Sequence, residues 1–232
     1  MRYTKQEILS RCEEAFLNKS TFYKKGFVNY RGRTTDTKEY YTEVVAAFLC
    51  EHIAEYTDGI KPITRKSSYK TEGHAGEHPG NTNRKEEIIA MRIFTQSRNI
   101  GPLDHIGQVE DYQTPLKSTA RDVAGKIDLL AFDGDVMRLL ELKRPDSKET
   151  MLRCVLEGYT YLKTVDCRKL VSDFDYDPDV VTVKACPFVF RGGAQHREIG
   201  QDLPYLKKLM EFLDSKPYYA VLENGIYTVT ED

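Results

Sequence analysis

Apolar residues recur along this chain with two different periods, and the changes of period divide it into elements. Thr4 and Glu7 have the spacing of a helix capping box, and Ile8, Leu9, Cys12 and Phe16 follow at helical intervals. Tyr40, Val44, Ala47, Phe48 and Ile53 predict a second helix from Thr37 to Tyr56. From Thr57 to Asn83 the period disappears. A structureless stretch of roughly 25 residues exceeds what compact domains usually hold, which marks it as functional or mobile.

Periodicity returns at Arg84. Ile88, Ile89, Ile93 and Phe94 give "RKEEIIAMRIFTQ" a broad helical apolar face, and "HIGQVEDYQTPL", His105 to Leu116, reads as a strand ended by Pro115. The stretch "GKIDLLAFDGDVMRLLELKRPD", Gly125 to Asp146, reads as two strands joined at Asp133-Gly134. Met151, Leu152, Val155, Leu156, Tyr159 and Leu162 then define a helix that Ser147 or Asp146 can cap. An acidic loop, "SDFDYDPD", precedes the β-rich run "VVTVKACPFVF". The tail adds a helix with Pro204 near its first turn and a hairpin around Asn224-Gly225. These elements predict an α/β (α+β) fold in a single domain spanning 1–232. Helical elaboration and the long loop fill 1–83, a core of helix, strand, strand, strand, helix and strand fills 84–190, and 191–232 closes the chain.

Composition narrows the class. Of 232 residues 40% are hydrophobic and 30% charged, a globular balance, and no apolar run approaches the roughly 20 residues of a membrane span. "MRYTKQEILSRCEEAF" is charged and amphipathic, unlike a secretory signal, so a soluble cytoplasmic protein is expected, with no membrane partner. Five cysteines stand far apart without paired C-x-x-C spacing, which suggests neither a zinc ribbon nor a disulfide framework. His74 and His78, in a Gly-rich loop, make a poor zinc site. The net charge of −2 is uninformative, but Lys61, Arg65, Lys66, Lys70, Arg84 and Lys85 give one segment a basic bias. An ordinary solvated loop is what such a charge run usually marks.

The chemistry lies in the hairpin, where Asp128, Glu141 and Lys143 interrupt otherwise apolar strands. If Asp133-Gly134 forms the two-residue turn, Asp128 falls opposite Leu139, and Glu141 and Lys143 share its face. Glu141 then lies diagonal to Asp128, with Cα atoms about 7 to 8 Å apart. A four-residue loop keeps that grouping, whereas a three-residue loop sends Asp128 to the other face. Charges placed there are costly without partners. One solution is a structural ion pair of Lys143 with Asp128 or Glu141; the other is a divalent cation, because hard carboxylate oxygens suit Mg²⁺.

Asp128, twelve residues, then Glu141-Leu142-Lys143 resembles the D-x(n)-(D/E)-x-K signature of the PD-(D/E)XK nuclease superfamily, which has the restriction-endonuclease-like fold. The resemblance covers Arg84 to Phe190, about half the chain, and departs from the pattern in lacking a proline before Asp128. It implies a central mixed sheet flanked by helices and a nuclease that hydrolyses phosphodiester bonds in DNA. Asp128, Glu141 and the Leu142 carbonyl would hold Mg²⁺, or Mn²⁺, and Lys143 would assist the attacking water. A carboxylate from the first core helix, Glu87 or Glu86, would complete the metal shell, although a first-turn role against the helix dipole explains either.

The family often has a polar residue in the following helix. Arg153 and Glu157 stand in that region, and a helical ion pair explains them equally well. Gln113 is a possible support at the end of the first core strand, and Arg144, Lys126 and Arg84 are candidate phosphate contacts. Many relatives act as dimers, so a homodimer is compatible with the resemblance. The competing expectation is a module that keeps the nuclease fold and binds nucleic acid or a protein partner without chemistry.

Overall fold

The structure, a computed structural model, describes residues 2–71, 85–117 and 125–232. Arg84, His74 and His78 lie outside the described residues, as does much of the loop predicted over Thr57 to Asn83. The helices are α1 (Lys5–Phe16), α2 (Tyr41–Glu51), α3 (Ile53–Gly59), α4 (Lys85–Ile100), α5 (Met151–Thr164), α6 (Cys167–Asp173), α7 (Ala194–Ile199) and α8 (Pro204–Phe212). The strands are β1 (Gln108–Pro115), β2 (Lys126–Asp133), β3 (Val136–Lys143), β4 (Thr182–Phe190), β5 (Tyr218–Glu223) and β6 (Ile226–Thr230).

The strands form one six-stranded mixed sheet in sequential order, β1-β2-β3-β4-β5-β6. β1, β2 and β3 are antiparallel neighbours, β4 lies parallel to both β3 and β5, and β6 returns antiparallel. Each parallel step needs a crossover, and the helices between those strands supply it. The sheet is covered on both faces. β3 shows how: Met137 and Leu139 enter the core shared with α1, α2, α5 and α8, while Leu140 and Leu142 enter the one shared with α4. All four are essentially inaccessible to water, worth about 1.5 to 3 kcal/mol per side chain.

Local signals behave as expected at several termini. Thr4 and Glu7 form the reciprocal capping box of α1. Asn224 and Gly225, with φ of 52° and 81°, form the two-residue turn between Glu223 and Ile226, as a type I′ hairpin requires.

Other boundaries differ from expectation. The turn of the β2–β3 hairpin is Gly134-Asp135, closed by Asp133 opposite Val136, rather than Asp133-Gly134. Gly134 has φ 62° and Asp135 has no positive φ, so glycine takes the first central position, as in a type II′ turn. The predicted second helix starts late and divides. Residues before Tyr41 are held by an Arg33–Tyr40 bridge and a Thr34 N–H to Glu39 carbonyl bond, and His52 (φ −112°, ψ 25°) separates α2 from α3. The cap of α5 is Thr150, whose hydroxyl accepts from the Arg153 N–H at 3.1 Å, and not Ser147 or Asp146. Asp166 caps α6 just before the stretch read as an acidic loop, so the first two residues of that stretch are helical. Among the described residues no helix is long and apolar enough to cross a membrane.

Candidate active site

Strands β2 and β3 pair regularly from Asp133↔Val136 to Leu129↔Leu140, and the pairing stops there. One step further the register would set Asp128 opposite Glu141. The one-residue shift of the turn moves the pairing register by two, which keeps the expected face and changes a diagonal relation into a direct one. In place of the next ladder bond, the Leu142 N–H donates to Asp128 Oδ2 at 2.9 Å. The end of the hairpin opens, and charged side chains occupy the gap.

On the neighbouring strand, Gln113 has φ 53°, the left-handed region that a residue with a Cβ enters at a cost of order 1 kcal/mol. Its amide Nε2 donates to Asp128 Oδ1 at 2.9 Å. Asp128 thus has both oxygens engaged by neutral donors. Burial, with Glu86 and Glu157 adding to it against Lys143 and the Leu142 N–H, pushes its pKa up to about 7.

Lys143 is buried at the centre of the cluster. Its ammonium lies 2.7 Å from Glu141, 2.9 Å from Glu149 and 3.2 Å from Glu157. Burial opposes its charge, but the surrounding carboxylates prevail and hold its pKa well above the lysine value. Glu141 moves the other way: burial first, then the Glu157 and Asp128 charges, raise its pKa well above the ordinary carboxylate range despite Lys143. Burial also opposes ionisation of Glu157, yet Lys143, Arg153 and the Tyr161 hydroxyl together hold its pKa low. Arg153 bonds Glu157 at 3.3 Å, donates to the Tyr23 carbonyl and stacks over the Tyr23 ring. Tyr161 donates to the second Glu157 oxygen at 3.0 Å. The ion pair within α5 and the ion pair of Lys143 with Glu141 both exist, as parts of one network.

Helix α5 can approach β3 so closely because residue 158 is glycine; a Cβ there would stand 3.3 Å from the Glu141 Cβ. These groups line an open cleft of about 1090 Å³. Its interior is acidic, while Lys85, Lys126, Arg144 and Lys148 stand among its lining residues. Glu86 and Glu87 both line it from the first turn of α4. Asp128 feels the charge of Glu86 and Tyr112 that of Glu87, so each of the two carboxylates stands within electrostatic reach of a residue near the cleft.

Sequence reasoning passed over Glu149, Tyr161 and Asn29. Glu149 lies in the irregular stretch before α5, where no periodic signal exists, and Asn29 reaches it from 120 residues away, Nδ2 to Oε1, at 3.4 Å. Tyr161 was legible only as the residue one turn beyond Glu157. The cation requirement can be tested on the donors themselves. Among the described residues no group of three or more His, Cys, Asp or Glu is disposed to hold a metal ion. Mg²⁺, however, binds through one or two carboxylates and keeps several waters, and Asp128 and Glu141 are two carboxylates that line the same cleft.

An α/β protein with a mixed sheet and a charged cleft where two strands part is the class that fold and site define. Comparison of the chain with models of protein families, with curated proteins and with solved structures finds no match.

Proposed function

We propose that this protein is a divalent-metal-dependent nuclease of the PD-(D/E)XK type, with a restriction-endonuclease-like core, hydrolysing phosphodiester bonds in DNA. One observation supports this above the rest. Among the described residues, the carboxylates of Glu141, Glu149 and Glu157 share the two cations Lys143 and Arg153, and Asp128 lines the same open cleft. A purely structural ion pair needs no such excess of acid, whereas a cation site does.

Asp128 and Glu141 would hold Mg²⁺ or Mn²⁺, with Glu86 or Glu87 and the Leu142 carbonyl as further donors. Such an ion supplies Lewis-acid polarisation of the phosphodiester and lowers the pKa of water. Gln113 and the Leu142 N–H orient the Asp128 carboxylate. Glu157 and Glu141 keep Lys143 protonated and fix its position, from which it can stabilise charge on phosphate oxygen. Lys85, Lys126, Arg144 and Lys148 offer phosphate contacts along the cleft.

A second reading, a catalytically silent module that binds nucleic acid, is favoured by the close pairing of Lys143 with Glu141 at 2.7 Å. Incubation with plasmid, linear duplex and single-stranded DNA separates the two. The nuclease reading expects cleavage with Mg²⁺ or Mn²⁺ that EDTA abolishes and that Asp128→Ala and Lys143→Ala each lose. Cleavage that survives both substitutions, or DNA binding with no cleavage under any metal, defeats it.

A further inference from the structure

The three carboxylates around Lys143 are not equivalent. Glu141 is anchored on a central strand and Glu157 on a packed helix, with side chains 5% and 12% exposed; Glu149 belongs to neither helix nor strand and is 33% exposed. The main chain around Glu149 is nevertheless pinned. Gln195 donates to the Glu149 carbonyl at 2.7 Å, and Arg31 donates to the Lys148 carbonyl at 2.9 Å. Its carboxylate is held more loosely, by Lys143 and by the 3.4 Å contact from Asn29. A change of side-chain rotamer can withdraw it while the backbone stays in place.

An ammonium has three hydrogens, and among the described residues three carboxylates surround this one. A phosphate oxygen can therefore reach Lys143 only by replacing one of them. The replaceable partner is the most exposed of the three, Glu149, which lines the cleft along with Arg144 and Lys148. A carboxylate and a phosphate present the same kind of anionic oxygen to an ammonium.

We infer that Glu149 is a phosphate-mimicking plug: its carboxylate occupies the position on Lys143 that a phosphate group takes, and leaves when phosphate enters. The occupant being a phosphodiester rests on the nuclease reading; the exchange of one anion for another does not. Until substrate arrives, the plug keeps a buried ammonium neutralised, and it sets an anion-selective threshold for entry.

The test uses the full chain in EDTA at fixed ionic strength, so that no cleavage occurs. Wild type, Glu149→Gln and Glu149→Asp are compared for affinity toward inorganic phosphate, by calorimetry and by phosphate-dependent thermal stability against a chloride control. Each variant leaves Lys143 the Glu141 and Glu157 partners, and circular dichroism verifies the fold. Glu149→Gln removes the competing charge, and Glu149→Asp keeps the charge but shortens its reach. Both should bind phosphate more tightly than wild type, by roughly two- to fivefold for Glu149→Gln, the range of a partly exposed ion pair. Equal or weaker affinity in Glu149→Gln overturns the inference. So does a gain in Glu149→Gln with none in Glu149→Asp, which would be a general charge effect. A parallel titration with labelled duplex DNA addresses the reading beneath it. Tighter phosphate binding by both variants without DNA binding by any of the three proteins would keep the plug and remove the nuclease.

Discussion

Glu43 and Glu141 are both buried acids, and the fold accommodates them in opposite ways. Glu43, on α2, accepts the Tyr205 and Leu206 N–H groups at 3.0 and 2.8 Å, filling the N-terminus of α8, which has no side-chain cap of its own. Both oxygens meet donors that the helix leaves unpaired, and the positive end of the helix dipole faces them. Glu141 instead shares one ammonium with Glu149 and Glu157 and has Asp128 beside it. The first arrangement is complete in itself; the second, among the described residues, gathers more carboxylates than cations and opens to water. Burial alone therefore does not distinguish a structural acid from a candidate catalytic one. What distinguishes them is whether local donors balance the charge.

The most severe break of that contrast is Lys143→Met. It leaves Glu141 and Glu149 without their cation and Glu157 with Arg153 and Tyr161, and urea denaturation should register a loss of about 3 to 5 kcal/mol, with DNA cleavage falling below detection. Next, Asp128→Asn and Glu43→Gln should separate activity from stability. Asp128→Asn relieves repulsion and can still bond the Leu142 N–H and, after an amide flip, Gln113. Its stability should change by less than about 1 kcal/mol while cleavage drops by roughly 100-fold or more. Glu43→Gln leaves one N–H of α8 without an acceptor and should cost about 1 to 3 kcal/mol with catalysis intact in the folded fraction. Equal effects of the two substitutions on both readouts would erase the distinction.

The dependence on pH sharpens it further. Burial and neighbouring acids raise the Asp128 pKa to about 7, so the folded protein binds a proton that the unfolded chain has already released between about pH 4 and 7. Stability contributed by this group is present at low pH and is lost as pH rises through 7. Burial raises Glu43 and Glu198 in the same direction, so the difference between wild type and Asp128→Asn isolates the site. Metal-free wild type should lose more stability than Asp128→Asn between pH 5.5 and 8, measured by thermal denaturation. Added Mg²⁺ should restore that loss at pH 8 and do little at pH 5.5.

The smallest effect is expected for Gly158→Ala. Helix propensity favours alanine by about 1 kcal/mol, while the new Cβ at 3.3 Å moves Glu141 by a few tenths of an ångström. Stability should stay nearly level as cleavage falls severalfold, and unchanged cleavage would mean that the position of Glu141 is unimportant to it.

The two hairpins show how far local sequence reaches. Asn224-Gly225 selects its own turn, since both residues tolerate positive φ. In "DGD" the glycine alone has positive φ and takes the first central place, which displaces the turn by one residue and the pairing sum by two. Because side chains alternate with period two, that error leaves Asp128, Glu141 and Lys143 on the face expected of them. The late start of the second helix was beyond local reasoning, because the Arg33–Tyr40 bridge that delays it is a pairing between separate positions.

Period and parity, then, were determined by the sequence itself: the order from α4 to β4, the capping box of α1, and the shared face of three charged residues. Alternation and helical spacing are properties of neighbouring residues and survive any packing. Tertiary structure alone decided that Gln113 turns onto Asp128, that Glu149 and Glu157 join Glu141 on one ammonium, and that Asn29, Arg31 and Gln195 hold the loop bearing Glu149. Those contacts join segments up to 120 residues apart, and no local period encodes which distant side chain will meet a buried charge.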